Sequence, residues 1–250
     1  MRAIILAAGR GSRMGGMTAA SPKCLVPLGG RPLLDWQTSA LRAAGIERIS
    51  IVTGWQSEQL ANRGAVTFHN SRWAETNMVM SLASAADWLA ADGCIVSYSD
   101  IFYPVGAVRD LAACSKDIAI TYDPNWFALW SRRFADPLAD AETFKLDANG
   151  RVVEIGKRTS NVELIEGQYM GLLKFTPAGW SLVARFLEGL PPHERDRLDM
   201  TGFLQRLIMQ DVGVYAVPVH EPWGEVDSES DLAIYERDIR EGRLRAFARQ

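Results

Sequence analysis

The run Ile4-Ile5-Leu6-Ala7-Ala8-Gly9-Arg10-Gly11-Ser12-Arg13 constrains this chain more than any other stretch, because an apolar segment stops abruptly in small residues. That pattern predicts a buried strand feeding a tight loop, where missing side chains let a ligand approach the backbone N–H groups. Such a loop can cradle phosphate. Arg13 can add forked, charge-assisted bonds to phosphate oxygens, and Lys23, ten positions further on behind Pro22, can return as a point charge. Two better-known glycine loops do not fit. A dinucleotide fingerprint needs glycine at its first, third and sixth positions, and after Gly9 and Gly11 the sixth is Met14. The Gly-Lys-Ser/Thr of a P-loop is missing. Gly15, Gly16 and the Ser21-Pro22 break favour a long loop over a helix, with a plain surface turn as the structural alternative.

A chain of 250 residues has room for one sizeable α/β domain with a full core. Its net charge of −3 gives no general attraction to nucleic acid or to an anionic membrane, so neither is an expected partner. Cys24, Cys94 and Cys114 are odd in number and lack a CxxC pair, which argues against a disulfide framework or a zinc site. The N-terminal apolar run is too short for a signal peptide or a spanning helix, and a cytoplasmic location is expected.

Downstream, strand and helix signals alternate. Pro32 to Gly45 reads as a helix, Arg48 to Thr53 as a strand, Gln56 to about Asn62 as a short helix and Ala65 to His69 as a strand. Met78 to about Ala90 has helical spacing, with Asn77 as its N-cap. Gly93 to Asp100 is a strand ending in an acid, on the edge where open α/β sheets bind ligands, so Asp100 suits a metal ligand. Asp117 to Tyr122 is a further strand. Trp126, Phe127, Trp130, Arg132, Arg133 and Phe134 then crowd together, either as a lid over a small polar substrate or as core under a long loop. Asn149-Gly150 between Glu142–Asp147 and Arg151–Gly156 predicts a hairpin, followed by a strand from Gln168 to Phe175. Pro177–Leu190 and Asp199–Gln210 read as amphipathic helices with a packing role alone. Val214–Val219 is a strand, and Ser228 with Asp231 forms a capping box for the last helix. The alternation implies a Rossmann-like mixed, mainly parallel sheet flanked by helices, with a small antiparallel part.

Leu6-Ala7-Ala8-Gly9-x-Gly11-Ser12-Arg13 followed by Pro22-Lys23 resembles the signature of the nucleotidyltransferases that activate sugar phosphates and small phosphorylated alcohols. The resemblance implies that Leu6, Ala7, Ala8, Gly9, Gly11 and Ser12 wrap a nucleoside triphosphate, and that Arg13 and Lys23 hold its phosphates. The usual leucine-x-proline-leucine segment is replaced by Met14-Gly15-Gly16-Met17, which implies a more flexible loop. Asn77 and Ser81 resemble positions that contact base and ribose in choline-type cytidylyltransferases. Asp100 corresponds to the family's magnesium ligand, and Asp227 to the second, in a late Glu-x-Asp-x-x-x-Asp-Leu stretch. Lys157 matches by position a lysine that grips the acceptor phosphate.

The middle of the chain, from Trp126 and Trp130 through Arg133, Pro137-Leu138 and Ala141-Glu142, resembles the branch acting on phosphocholine, phosphonates or phosphoglutamine. Trp126, Trp130, Arg133, Lys145 and Glu166 then become acceptor residues. The branch implies CTP and a small phosphorylated acceptor as partners, magnesium as cofactor and a role in decorating surface polysaccharide, and leaves a homodimer open. The expected layout is one domain, its nucleotide part at about 1–123 and 212–250 and its acceptor part at about 124–211. The rival readings are a hexose-1-phosphate nucleotidyltransferase and a regulatory module that binds nucleotide without catalysis.

Overall fold

The computed structural model describes residues 1–61, 63 and 66–244. Its strands, in chain order, are β1 (Arg2–Ala7), β2 (Ile49–Thr53), β3 (Val66–His69), β4 (Cys94–Tyr98), β5 (Ile118–Asp123), β6 (Glu142–Leu146), β7 (Val152–Arg158), β8 (Gln168–Phe175) and β9 (Tyr215–Pro218), besides two-residue ladders. Along β1, Ile4 and Leu6 enter one apolar layer while Ala3, Ile5 and Ala7 enter the other. A strand apolar on both faces needs cover on both, and that places it inside a sheet. β1 accordingly lies between β2 and β4, parallel to each, in a seven-stranded sheet of order β9-β5-β8-β4-β1-β2-β3. β8 alone in this sheet runs against its neighbours, β4 and β5.

Helices α1 (Leu33–Ala43), α4 (Val105–Ala113) and α5 (Trp126–Arg133) supply the layer that receives Ile5. The other layer draws on α2 (Met78–Ala83), α3 (Ala86–Ala91), α6 (Pro177–Glu188) and, after the one-turn α7 (Pro192–Arg195), α8 (Met200–Met209), together with Phe144, Val152 and Ile155 of the β6–β7 hairpin. The last helix, α9 (Glu229–Arg240), begins with the expected capping box of Ser228 and Asp231. Among the described residues no helix is long and apolar enough to cross a membrane.

Several elements differ from the sequence-based expectation. The helix expected from Gln56 is a 3-10 turn, Ser57–Leu60; Asn62 and Ala65, the expected limits of that helix and of the next strand, lie outside the described residues. The helix expected over 78–90 breaks at Ser84-Ala85 into α2 and α3. The hairpin forms a separate two-stranded sheet rather than extending the large one. Trp126–Arg133 is a helix, and both of its tryptophans are buried.

The loop after β1 also departs from the expected open excursion. It winds into 3-10 turns over Ser12–Thr18. Met14, where the family's leucine-x-proline-leucine segment would begin, is fully buried against Val26, Leu28, Leu33, Trp36, Phe102, Val226 and Tyr235. A flexible thioether can fill such an irregular gap, so Met14 anchors the loop. Replacing Met14 by Ala is expected to cost about 2–5 kcal/mol of folding stability, read by urea unfolding. A cost near zero would mean that the loop is not held by this contact.

Candidate functional site

The carboxyl edge of the parallel strands gathers the charged residues. Asp100 follows β4 by two residues, and Asp227 lies just past the short Gly224–Glu225 strand, which pairs with Ile101–Phe102. The Val226 N–H bonds the Asp100 carbonyl at 2.9 Å, fixing the two segments side by side. Lys23 sits between their carboxylates, donating to Asp100 Oδ2 at 2.8 Å and to Asp227 Oδ1. Arg13 reaches Asp227 Oδ2 at 2.9 Å, with 71% of its side chain exposed. Gly11 makes the arrangement sterically feasible. It has φ of +67°, and a Cβ there would lie 2.9 Å from the Lys23 Cβ.

Glu225 joins Asp100 and Asp227, with one oxygen from each of the three within 4.8 Å of the others. Sequence reading passed over Glu225, although its spacing of two from Asp227 in an extended segment puts both side chains on one face. Three acids this close repel unless cations intervene. Burial, with Asp227 and Asp100 close by, pushes the Glu225 carboxyl up to about 8. Burial alone would lower the Lys23 ammonium, but Asp100 and Asp227 outweigh it and raise it. Asp100 Oδ1 is buried and has no hydrogen-bond partner among the described residues. This all-oxygen donor set, with an unfilled acceptor inside it, fits a hard divalent cation.

Two cavities open near this cluster. A small one of about 130 Å³ is lined by Leu6, Ala8, Gly9, Trp73, Thr76, Asn77, Met78 and Ser81, so it collects five of the residues singled out for nucleotide contact. Ala7 packs into the opposite apolar layer, and Ser12 starts the 3-10 turns. Asn77 caps α2 as expected, its Oδ1 accepting from the Met78 N–H at 2.7 Å. The Ser81 hydroxyl accepts from Asn70 Nδ2 at 3.1 Å.

The larger cavity, about 270 Å³, contains Arg13, Glu225 and Asp227 on its wall together with Tyr98, Trp130, Asp140, Glu142, Arg158, Tyr169, Asp199 and Thr201. Of the expected acceptor residues, Trp130 lines it, with its indole N–H on Asp140 Oδ2 at 3.1 Å. Trp126 does not. It is core, donating to the Ile165 carbonyl at 3.3 Å. Arg133 is buried among carboxylates. Lys145 faces Glu154 across the hairpin, and Glu166 Oε2 accepts the Leu146 N–H at 2.9 Å; neither lines this cavity.

Lys157 is also off the cavity wall, 62% exposed with its ammonium 3.6 Å from Glu154. Its neighbour Arg158 takes the wall position. The cause is a register shift between Ile155 and Arg158, where Gly156 has φ of +88° and lies against Thr201. A one-residue shift in a strand exchanges the side chains on its faces. The N-terminus of α8, expected to serve packing alone, contributes Asp199 and Thr201 to the wall. No local signal in the sequence reports either fact.

Residues 3–157 match the MobA-like NTP transferase domain. The chain belongs to this family. It is 38% identical to the CTP:phosphoglutamine cytidylyltransferase of Campylobacter jejuni, over 94% of this chain and 98% of that one. It is 28% identical to the 2-aminoethylphosphonate cytidylyltransferase of Lancefieldella rimae, over 94% of this chain and 91% of that one. The inositol-1-phosphate CTP transferase from T. maritima superposes with a TM-score of 0.76 at 21% identity, over 96% of both chains, and so shares the fold. A MobA-like transferase is a nucleotidyltransferase, and the resemblance read from the first loop is thereby upheld.

Replacing Lys23 by Met removes the cation between two acids, and with it the donor toward phosphate that the family resemblance implies. Turnover is expected to fall about 10²–10³-fold, the cost of losing one preorganised donor, as measured by steady-state kinetics. Arg158→Ala should raise the acceptor KM more than Lys157→Ala does, and the reverse order would show that the hairpin is read in the wrong register.

Proposed function

We propose that this chain transfers CMP from CTP to a small phosphorylated acceptor that also carries an ammonium group, phosphoglutamine first among them, with magnesium as the divalent cation. One observation carries the acceptor class. The wall of the larger cavity sets two guanidinium groups, Arg13 and Arg158, against five carboxylates, Asp140, Glu142, Asp199, Glu225 and Asp227. A carboxylate-rich wall stabilises a cationic group, and Arg158, which donates through Nη1 to the Ala139 and Asp140 carbonyls, keeps further N–H groups for a carboxylate on the same acceptor. Burial raises the Glu142 carboxyl above its ordinary range, the Arg158 charge opposing, and an arriving ammonium would relieve that cost. A hexose phosphate has no positive charge to offer these acids. The phosphoglutamine and aminoethylphosphonate enzymes among the relatives support the same reading.

An oxygen of the acceptor phosphate attacks the α-phosphorus of CTP in line. The new P–O bond forms as the bond from α-phosphorus to the bridging oxygen breaks, and pyrophosphate leaves. The acceptor phosphate is already ionised near neutral pH, so no general base is needed. Arg13 and Lys23 offset the charge that develops on the phosphates, and the glycine loop lets the chain approach them closely. Asp100 and Asp227, with Glu225 beside them, would hold magnesium, which supplies phosphate-charge neutralisation and orientation when bound. Lys23 can then turn from the acids to the phosphates. Asn77, Ser81 and Gly9 are proposed to meet the nucleoside through the smaller cavity. The regulatory alternative finds no support, because Arg13, Lys23, Asp100 and Asp227 are all present and in contact. In this reading the product, made in the cytoplasm, supplies an activated group for the decoration of a surface polysaccharide.

The test is pyrophosphate release with CTP, ATP, GTP, UTP and dTTP, each against phosphoglutamine, 2-aminoethylphosphonate, phosphocholine and glucose-1-phosphate. Release is expected with CTP and the amine-bearing acceptors, and should be abolished by a chelator and restored by magnesium. Release with glucose-1-phosphate and dTTP or UTP instead would move the reading to the hexose enzymes.

A further inference from the structure

We infer that Arg133 is a positioning residue for the divalent-cation site rather than a ligand of the acceptor: it places Glu225 directly and Asp227 through Asp231. The inference rests on the metal reading above. Arg133 ends α5 and has none of its side chain exposed. Its Nε donates to Asp231 Oδ1 at 2.9 Å, Nη2 to Asp231 Oδ2 at 3.4 Å and Nη1 to Glu225 Oε2 at 3.1 Å. The Trp130 and Phe134 rings lie 5.3 and 5.1 Å from its Cζ. Each guanidinium nitrogen therefore donates to a carboxylate, and the unexposed side chain offers no open side to a ligand from solvent.

The acid it holds on the far side reaches the cluster too. Asp231 Oδ2 accepts the backbone N–H of Asp227 at 3.1 Å and that of Ser228 at 3.0 Å. Two of the three clustered carboxylates thus trace to one planar fork: Glu225 through its own oxygen, and Asp227 through the backbone that carries it. A lysine keeps the charge, but its single ammonium cannot reproduce a fork spanning two carboxylates. Outer-shell partners of this kind typically change metal affinity by about 10–100-fold when removed. The same contacts also tie α5 to α9, and a tie of helices alone would alter stability without altering how the folded protein binds a cation.

The full-length wild type and Arg133→Lys would be titrated with Mn²⁺ alone, followed by electron paramagnetic resonance at a temperature where both are folded. In parallel, the Mg²⁺ concentration for half-maximal turnover and the acceptor KM would be measured. The expected result is Mn²⁺ binding weakened about tenfold or more in Arg133→Lys, a matching rise in the Mg²⁺ requirement and recovery of turnover at high Mg²⁺, with the acceptor KM little changed. Unchanged Mn²⁺ binding would overturn the inference, and a raised acceptor KM beside it would return Arg133 to the acceptor. Should Arg133→Lys not fold, Glu225→Gln keeps an oxygen for the Arg133 N–H while removing the charge. It must weaken Mn²⁺ binding, and unchanged binding there would overturn the route through Glu225. Absence of saturable Mn²⁺ binding to the wild type would instead remove the metal reading itself.

Discussion

The ammonium of Lys23, held between Asp100 and Asp227, is the contact on which the site depends. The three residues come from the first loop, the end of β4 and the approach to α9, so the bond joins both ends of the chain at one sheet edge. Buried like charges cannot be brought together without a counter-charge, and removing one partner of such a group typically costs about 3–5 kcal/mol. The apolar layers above and below β1 carry the sheet, but they do not decide where the acids meet. Gly11, Met14 and the ladder between Ile101–Phe102 and Gly224–Glu225 do that, by giving Lys23 room, pinning the loop and setting Asp227 beside Asp100.

A second ring of charge surrounds the first. Arg133 holds Glu225 and Asp231, and Asp231 closes the turn from which Asp227 projects. Trp130 lies against Arg133 on one side and lines the larger cavity on the other. The proposed acceptor wall and the proposed cation site are thus built on shared supports, and the chemistry proposed for each needs the other: the acceptor phosphate must arrive where the nucleotide phosphates are neutralised.

Much of this was legible from local sequence. The abrupt end of an apolar run at Gly9 announced the first strand and its loop, the acid after β4 announced a carboxylate at the sheet edge, and Ser228 with Asp231 announced the cap of α9. These are signals carried by a few adjacent residues. What failed was nonlocal. Engagement of Arg133 depends on acids about ninety residues further along the chain, and burial of Trp126 on the Ile165 segment and on a helix in place of the long loop. The exchange of Lys157 for Arg158 depends on a shift at Gly156, which periodicity cannot register. Asp199 and Thr201 read as an ordinary helix start, and only the fold brings that start to the cavity.

The central claim is that an acceptor phosphate displaces pyrophosphate from CTP at this cluster. Phosphorus NMR of the complete reaction, with CTP, phosphoglutamine and magnesium, tests it most directly. The account predicts loss of the three CTP resonances together with that of the acceptor, and growth of pyrophosphate alongside a coupled pair from a new P–O–P linkage. Appearance of inorganic phosphate and CDP, with the acceptor resonance unmoved, would contradict it.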